Sequence, residues 1–253
     1  MSARPAFTRR IVLRLDPAQP HDGALSSAMH LANAFRAELA ARMISDTRFL
    51  GAFAFAGSPQ GDSSRLIQIQ LRRTEASLRR ALSALAARHD TVWSFEVVRC
   101  AGVLAHECSM ASDDLVVIEL PRFEFSLAAL RGEVAETLAR ARGVVLMPPV
   151  DRSLRGPVVA IVGDPARATE LIANCAQIAE AIGVPLKQVV HDGQIGAAEQ
   201  ERREAGDIAT SVRRLGATLA VIDAADTILG EFLARPRHLR ELATPLLLLK
   251  SAS

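Results

Sequence analysis

The chain has 253 residues, of which 49% are hydrophobic and 23% charged, and its formal net charge is +2. These values exclude wholesale disorder and a chain that is polybasic throughout, and against a prior of about 150 residues per domain the length fits one large domain or two small ones. Of the 30 basic residues only Lys187 and Lys250 are lysine, and there is no Tyr, a skew that reads as genomic composition rather than chemistry. Cys100, Cys108 and Cys175 are too few and too odd for a disulfide framework, which fits a reducing compartment. Met1–Arg10 lacks the pattern of a secretory signal, and apolar runs such as Leu246–Leu249 are too short to span a bilayer. The expectation is a cytoplasmic protein without membrane contact.

In chain order, short apolar runs fall at Ile11–Leu15, Leu39–Ile44, Val92–Val98, Leu115–Leu120 and Val144–Met147. Nearly continuous Val/Ile/Leu content marks strands covered on both faces of a parallel sheet. Between them, Leu25, Met29, Ala32 and Phe35 follow helical spacing. So do Ile67, Leu71, Leu78, Leu82 and Leu85 over a longer stretch, and Val134 and Leu138 begin a helix after Gly132. Pro148-Pro149 and Gly156-Pro157 form a turn-rich joint. The pattern then restarts with strands at Val158–Val162, Leu186–Val190, Leu219–Ile222 and Leu246–Leu249. Helices are predicted around Leu171–Ile182, Glu199–Leu215 and Thr227–Leu242. Strands alternating with helices predict an α/β fold with right-handed crossovers.

Spacings test for a repeat. Val12 to Ala41 is 29 residues and Ala160 to Gln188 is 28; Val116 to Val144 is 28 and Leu219 to Leu246 is 27. In the middle, Ala41 to Val117 is 76 residues but Gln188 to Ala220 only 32, a deficit of 44. The segment from Asp62 to Cys100 accounts for it. The prediction is a full α/β unit at 1–150 and a shortened one at 151–253, lacking one helix–strand pair.

This layout resembles the universal stress protein family in tandem form. The resemblance rests on the strand-then-Asp starts at Asp16 and Asp164, the Phe95-Glu-Val-Val strand, Asp114-Leu-Val-Val-Ile, and Leu130-Arg-Gly-Glu-Val-Ala-Glu followed by Val144-Val-Leu-Met-Pro. It implies two fused parallel-sheet units of the adenine-nucleotide-hydrolase-like type. The first sheet would be ordered 3-2-1-4-5 and the second 2-1-4-5. Two such repeats could pack about a pseudo-twofold axis through the last-strand edges Val144–Met147 and Leu246–Leu249.

Many members of that family bind ATP through an Asp after the first strand and a loop reading G-x2-G-x9-G-S/T after the fourth. Glycines let amide N–H groups approach the phosphates, and the next helix N-terminus favours anions. Asp16 occupies the first position and Gly132 matches the last glycine. The stretch Glu119-Leu-Pro-Arg-Phe-Glu124 has no glycine where two belong, and Glu133 replaces the hydroxyl residue. Carboxylates beside a triphosphate repel it. In the second half Asp223-Ala-Ala-Asp226 is acidic, Gly230 stands alone, and Pro236-Arg-His replaces the terminal Gly-Ser. If nucleotide binds at all, Asp16, Arg122, Arg131 and Gly132 are the candidate contacts, the arginines offsetting the missing glycines.

Other constellations have plainer readings. Arg65, Arg72 and Arg79 are seven apart and form a stripe on the long helix, either a contact for RNA or an acidic partner or a solvated face; no aromatic residues interleave, which disfavours nucleic acid. His106 and Cys108, two apart, point in different directions on a helix and make no metal set. His21-Asp22 and His191-Asp192 follow strands, where α/β sheets place ligands; Asp22 and Ser26 equally suit a helix start. Asp16 and Asp164 also suit turn capping before Pro17 and Pro165. Phe53 and Phe55 suit either a partner surface or a plug at a sheet edge. Catalytic motifs are absent.

The expectation is a non-enzymatic stress-response accessory protein with a degenerate nucleotide site and no required cofactor, acting through a protein partner or self-association, as a homodimer or an intrachain pseudo-dimer. The alternatives are an ATP-binding sensor of the same fold, and an RNA- or acidic-partner-binding module using the arginine stripe.

Overall fold

A computed structural model describes residues 7–17, 21–46, 62–100, 110–120, 127–148, 155–190, 205–234 and 236–250. The strands are β1 (Arg10–Leu15), β2 (Glu38–Asp46), β3 (Trp93–Cys100), β4 (Leu115–Glu119), β5 (Gly143–Met147), β6 (Val158–Val162), β7 (Leu186–Val190), β8 (Leu219–Asp223) and β9 (Leu246–Leu249). The helices are α1 (Asp22–Phe35), α2 (Asp62–His89), α3 (Leu127–Arg140), α4 (Ala168–Ile182), α5 (Ala205–Arg214), α6 (Thr227–Ala234) and α7 (Pro236–Leu242).

All nine strands form one sheet, ordered β3-β2-β1-β4-β5-β9-β8-β6-β7. Within residues 10–147 the order is 3-2-1-4-5, and β7-β6-β8-β9 runs 2-1-4-5 in the same sense. The two expected sheets are therefore a single one. They join where β5 and β9 pair antiparallel, with Val144 opposite Leu248 and Val145 opposite Leu247. The other pairings are parallel. An unpaired edge of four leucines is an aggregation hazard, and here the two apolar edges cover each other. Among the described residues no strand adds to the outer edge of β7. Of the joint expected near residue 150, residues 149–154 lie outside the described residues.

Strict alternation along each strand sends side chains to two core layers. Ile11, Leu13, Leu15, Val158 and Ala160 pack under α1, α2 and α4. Val12, Val116, Val159 and Ile161 pack under α3, α5, α6 and α7. Helices on both faces explain why the strands read as unbroken apolar runs. α1 and α4 touch each other, so the upper layer is continuous across the β5–β9 junction. No helix among the described residues is long and apolar enough to cross a membrane.

Two helix expectations are corrected. The helix placed after Gly132 begins at Leu127 instead, so Gly132 sits inside α3. The helix expected over Thr227–Leu242 is two, because Pro236 lacks an N–H and opens α7 as its first residue.

Candidate functional site

Chain reversal locates the crevice. β1 pairs with β2 on one side and β4 on the other. The crossover from β1 leaves over one face (α1) and that from β4 over the other (α3). Doubly wound sheets place ligands at the carboxyl ends of two such strands.

At this point the protein has built an ion pair. Four strand residues, Leu115–Ile118, are buried and apolar, and Glu119 ends the strand with a charge. His21 starts α1: its carbonyl accepts from Leu25 N–H at 2.8 Å, but its side chain makes no capping bond. The imidazole turns back over the strand ends. Nε2 lies 2.5 Å from the Asp16 carbonyl oxygen and Nδ1 lies 2.6 Å from Glu119 Oε2. Only 2% of the His21 side chain and 7% of the Glu119 side chain are exposed. A carbonyl only accepts, so Nε2 carries a hydrogen, and Nδ1–H then donates to the carboxylate. Burial pushes the His21 pKa down, but the bonds to Glu119 and to the Asp16 carbonyl, with the charges of both residues, outweigh it; the net shift is upward. The pair spans the carboxyl ends of β1 and β4, and its two short bonds favour the charged imidazole.

The predicted site residues are distributed around this pair. Asp16 is exposed at the end of β1. Arg122 lies outside the described residues. Arg131 and Gly132 are exposed on α3, and the space around Gly132 is open. Gly132 is past the first helical turn, whose amides are the ones lacking intrahelical acceptors, so it is not positioned as a phosphate-loop glycine. Glu133, where the loop hydroxyl was sought, faces the lower core layer, and Arg14 of β1 donates to its Oε1. The N-cap residue of α1 is His21, and Asp22 is the first helical residue. Of the arginine stripe, Arg65, Arg72 and Arg79 are exposed on α2, and Arg79 pairs with Glu75 at 3.0 Å. His106, Cys108, His191, Asp192, Phe53 and Phe55 lie outside the described residues. Cys175 is buried, which pushes its thiol pKa up to about 12.

The corresponding strand ends in the second half, those of β6 and β8, carry a different arrangement. Asp226 precedes α6, and its carboxylate accepts from Gly163 N–H at 2.9 Å, Asp164 N–H at 3.1 Å and Ile228 N–H at 3.0 Å. Those are the amides at the end of β6 and the start of a helix, the groups that cradle anions in nucleotide sites. A Cβ on Gly163 would lie 2.3 Å from Asp226 Oδ1, so glycine is required for this approach. Asp164 caps its own turn, accepting from Ala166 N–H at 2.9 Å. Asp223, also buried, accepts from Ala225 N–H at 2.7 Å and faces Arg167 at 3.4 Å.

The working residues absent from the predicted set are Glu119, His21 as a ligand of Glu119, and Asp226. Each had a signal: a lone charge ending an apolar strand, a histidine at a strand-to-helix turn, an Asp one residue before a helix.

No family model matches the chain, and no curated protein matches it. Solved structures do. A universal stress protein from Archaeoglobus fulgidus DSM 4304 superposes with a TM-score of 0.60 at 11% identity, covering 96% of this chain and 97% of that one. A functionally unknown protein from Pseudomonas aeruginosa PAO1 gives 0.57 at 15% identity, covering 96% and 92%. At these identities the likeness is one of fold: the chain has the α/β fold of universal stress protein structures.

Proposed function

We propose that the chain is a universal stress protein-like accessory protein that acts through protein–protein contact, with both nucleotide positions given over to its own side chains. The observation that carries this reading is the buried His21–Glu119 pair, which ties the carboxyl ends of β1 and β4 together, the place where doubly wound sheets hold ligands. Glu119 keeps a carboxylate at the strand end, and a triphosphate beside it would be repelled. Asp226 does the same work in the second half by holding the amides that would otherwise face phosphate. No turnover is proposed; among the described residues neither pair of strand ends sets a nucleophile beside a base. The two halves are read as copies of one unit paired within the chain, β5 against β9, so the contact with a partner falls elsewhere.

Equilibrium dialysis with ATP tests the reading. The expected result is no saturable binding at micromolar concentration by the intact chain. Saturable binding lost in Asp16→Ala would overturn it and favour the nucleotide-sensor alternative, with Arg122 and Arg131 as phosphate contacts.

A further inference from the structure

α2 is longer than the sheet it covers. Its 28 residues span about 42 Å at 1.5 Å per residue, whereas the 8 residues of β3 span about 27 Å. Only its second half is anchored, through Leu78, Leu82 and Ala86. From Arg65 to Ser77 no residue is buried. On this projecting part Leu66 is 66% exposed and Ile69 39% exposed.

The arginines divide into two kinds. Arg79 is engaged, paired with Glu75 and stacked 5.1 Å from the Phe95 ring centre. Arg65, Arg72, Arg73 and Arg80 are exposed, and among the described residues no carboxylate pairs with them. Arg65, Ile69, Arg72 and Arg73 are set by three- and four-residue steps, Arg80 lies two turns beyond Arg73, and with Leu66 beside them they occupy the side of the helix away from the buried leucines. The unsatisfied surface is therefore a basic face with an aliphatic centre at one end. It is not the Arg65/Arg72/Arg79 stripe read from spacing alone.

We propose that this outer face of α2 is a docking surface for an acidic amphipathic helix of a partner protein. The proposal rests on the protein-contact reading above and gives that contact a place and a chemistry. Carboxylates of the partner would meet the exposed guanidinium groups, and its aliphatic side chains would cover Leu66 and Ile69. A second copy of this chain does not suit the face, because α2 carries six arginines against Asp62 and Glu75 and would repel itself. Nucleic acid does not suit it, because no aromatic side chain stands between Arg65 and Arg80 for bases to stack on. A membrane-surface helix needs a continuous apolar face, and here two aliphatics are followed by arginines.

The test uses the full chain and a synthetic helical peptide with a leucine stripe flanked by glutamates, read by fluorescence anisotropy. Saturable binding is expected, weakened at least about tenfold by Leu66→Ser with Ile69→Ser, and equally by Arg65→Glu with Arg72→Glu and Arg73→Glu. A peptide with serines in place of the leucines should bind as weakly, while Arg213→Glu, an exposed charge on α5, should change nothing. All substituted residues are exposed, and circular dichroism checks the fold. Peptide binding that survives the α2 substitutions overturns the proposal. So does tighter binding of polyuridylate or of phosphatidylglycerol vesicles than of the peptide. The ATP dialysis is read separately: failure of the peptide without ATP binding removes this surface alone, whereas ATP binding removes the reading it rests on.

Discussion

The His21 imidazole bridges two strand ends in one span, with Nδ1 at 2.6 Å from Glu119 Oε2 and Nε2 at 2.5 Å from the Asp16 carbonyl oxygen. Residues 98 apart in sequence are thereby tied across the one place in this half-sheet where the winding direction reverses. Both nitrogens face acceptors, so the charged ring is the form the folded chain selects.

Stability is accordingly expected to depend on pH through this ring. The folded His21 pKa is raised above the ordinary imidazole value of 6.5. The folded state thus binds the proton more tightly than the unfolded state, and the contribution is fully present below about pH 6.5 and lost as pH rises through the folded value. Melting temperature measured across that window should fall more steeply in the native chain than in His21→Gln. His89, lowered by burial and by the neighbouring His30 and Arg88, has the opposite slope, so the comparison is best made in a His89→Gln background.

Removing only one member of the pair should be costly. Glu119→Ala leaves an imidazolium buried against a carbonyl, and a loss of about 3–5 kcal/mol is expected from urea denaturation. His21→Leu combined with Glu119→Met should recover part of that loss, because no buried charge is then left alone. A double variant as unstable as Glu119→Ala would argue against this account.

Asp226→Ala should cost about 2–4 kcal/mol, since the amides of Gly163, Asp164 and Ile228 lose their shared acceptor. Gly163→Ala should be similarly harmful, its Cβ falling 2.3 Å from Asp226 Oδ1. Thermal unfolding of the two variants checks both.

The sheet junction has its own sensitive point. A Cβ on Gly143 would stand 2.6 Å from the Leu248 carbonyl oxygen across the β5–β9 ladder. Gly143→Ala is expected to destabilise by about 1–3 kcal/mol through forced backbone movement, read as a lower urea midpoint.

One substitution should stabilise. Arg36 ends α1 with φ of 53°, where α4 ends in Gly183 at φ of 77°. Arg36 is exposed and makes its cap through the backbone, so Arg36→Gly should raise stability by about 0.5–1 kcal/mol, visible as a higher melting temperature.

Much of the fold was legible along the chain. Runs such as Val158–Val162 and Leu246–Leu249 are apolar on both faces, which only a sheet covered by helices on both sides accommodates. The interval from Ala41 to Val117 had to hold an additional helix and strand, and α2 and β3 are there. The start of α3 was misplaced because Gly132 reads as a boundary, yet one exposed glycine in a helix costs only about 1 kcal/mol. The split between α6 and α7 was missed although Pro236 signals it.

The sequence by itself determined the α/β class, the strand positions and the poverty of the phosphate loop, because these follow from local periodicity and from residue types in a row. Tertiary structure alone decided that the halves share one sheet, that His21 meets Glu119, and that Asp226 occupies the amides of Gly163 and Asp164. It also divided the α2 arginines into Arg79, which has a partner, and Arg65, Arg72, Arg73 and Arg80, which have none among the described residues. Each of these depends on the distance between groups far apart in the chain, and electrostatics and hydrogen bonding are set by that distance rather than by sequence spacing.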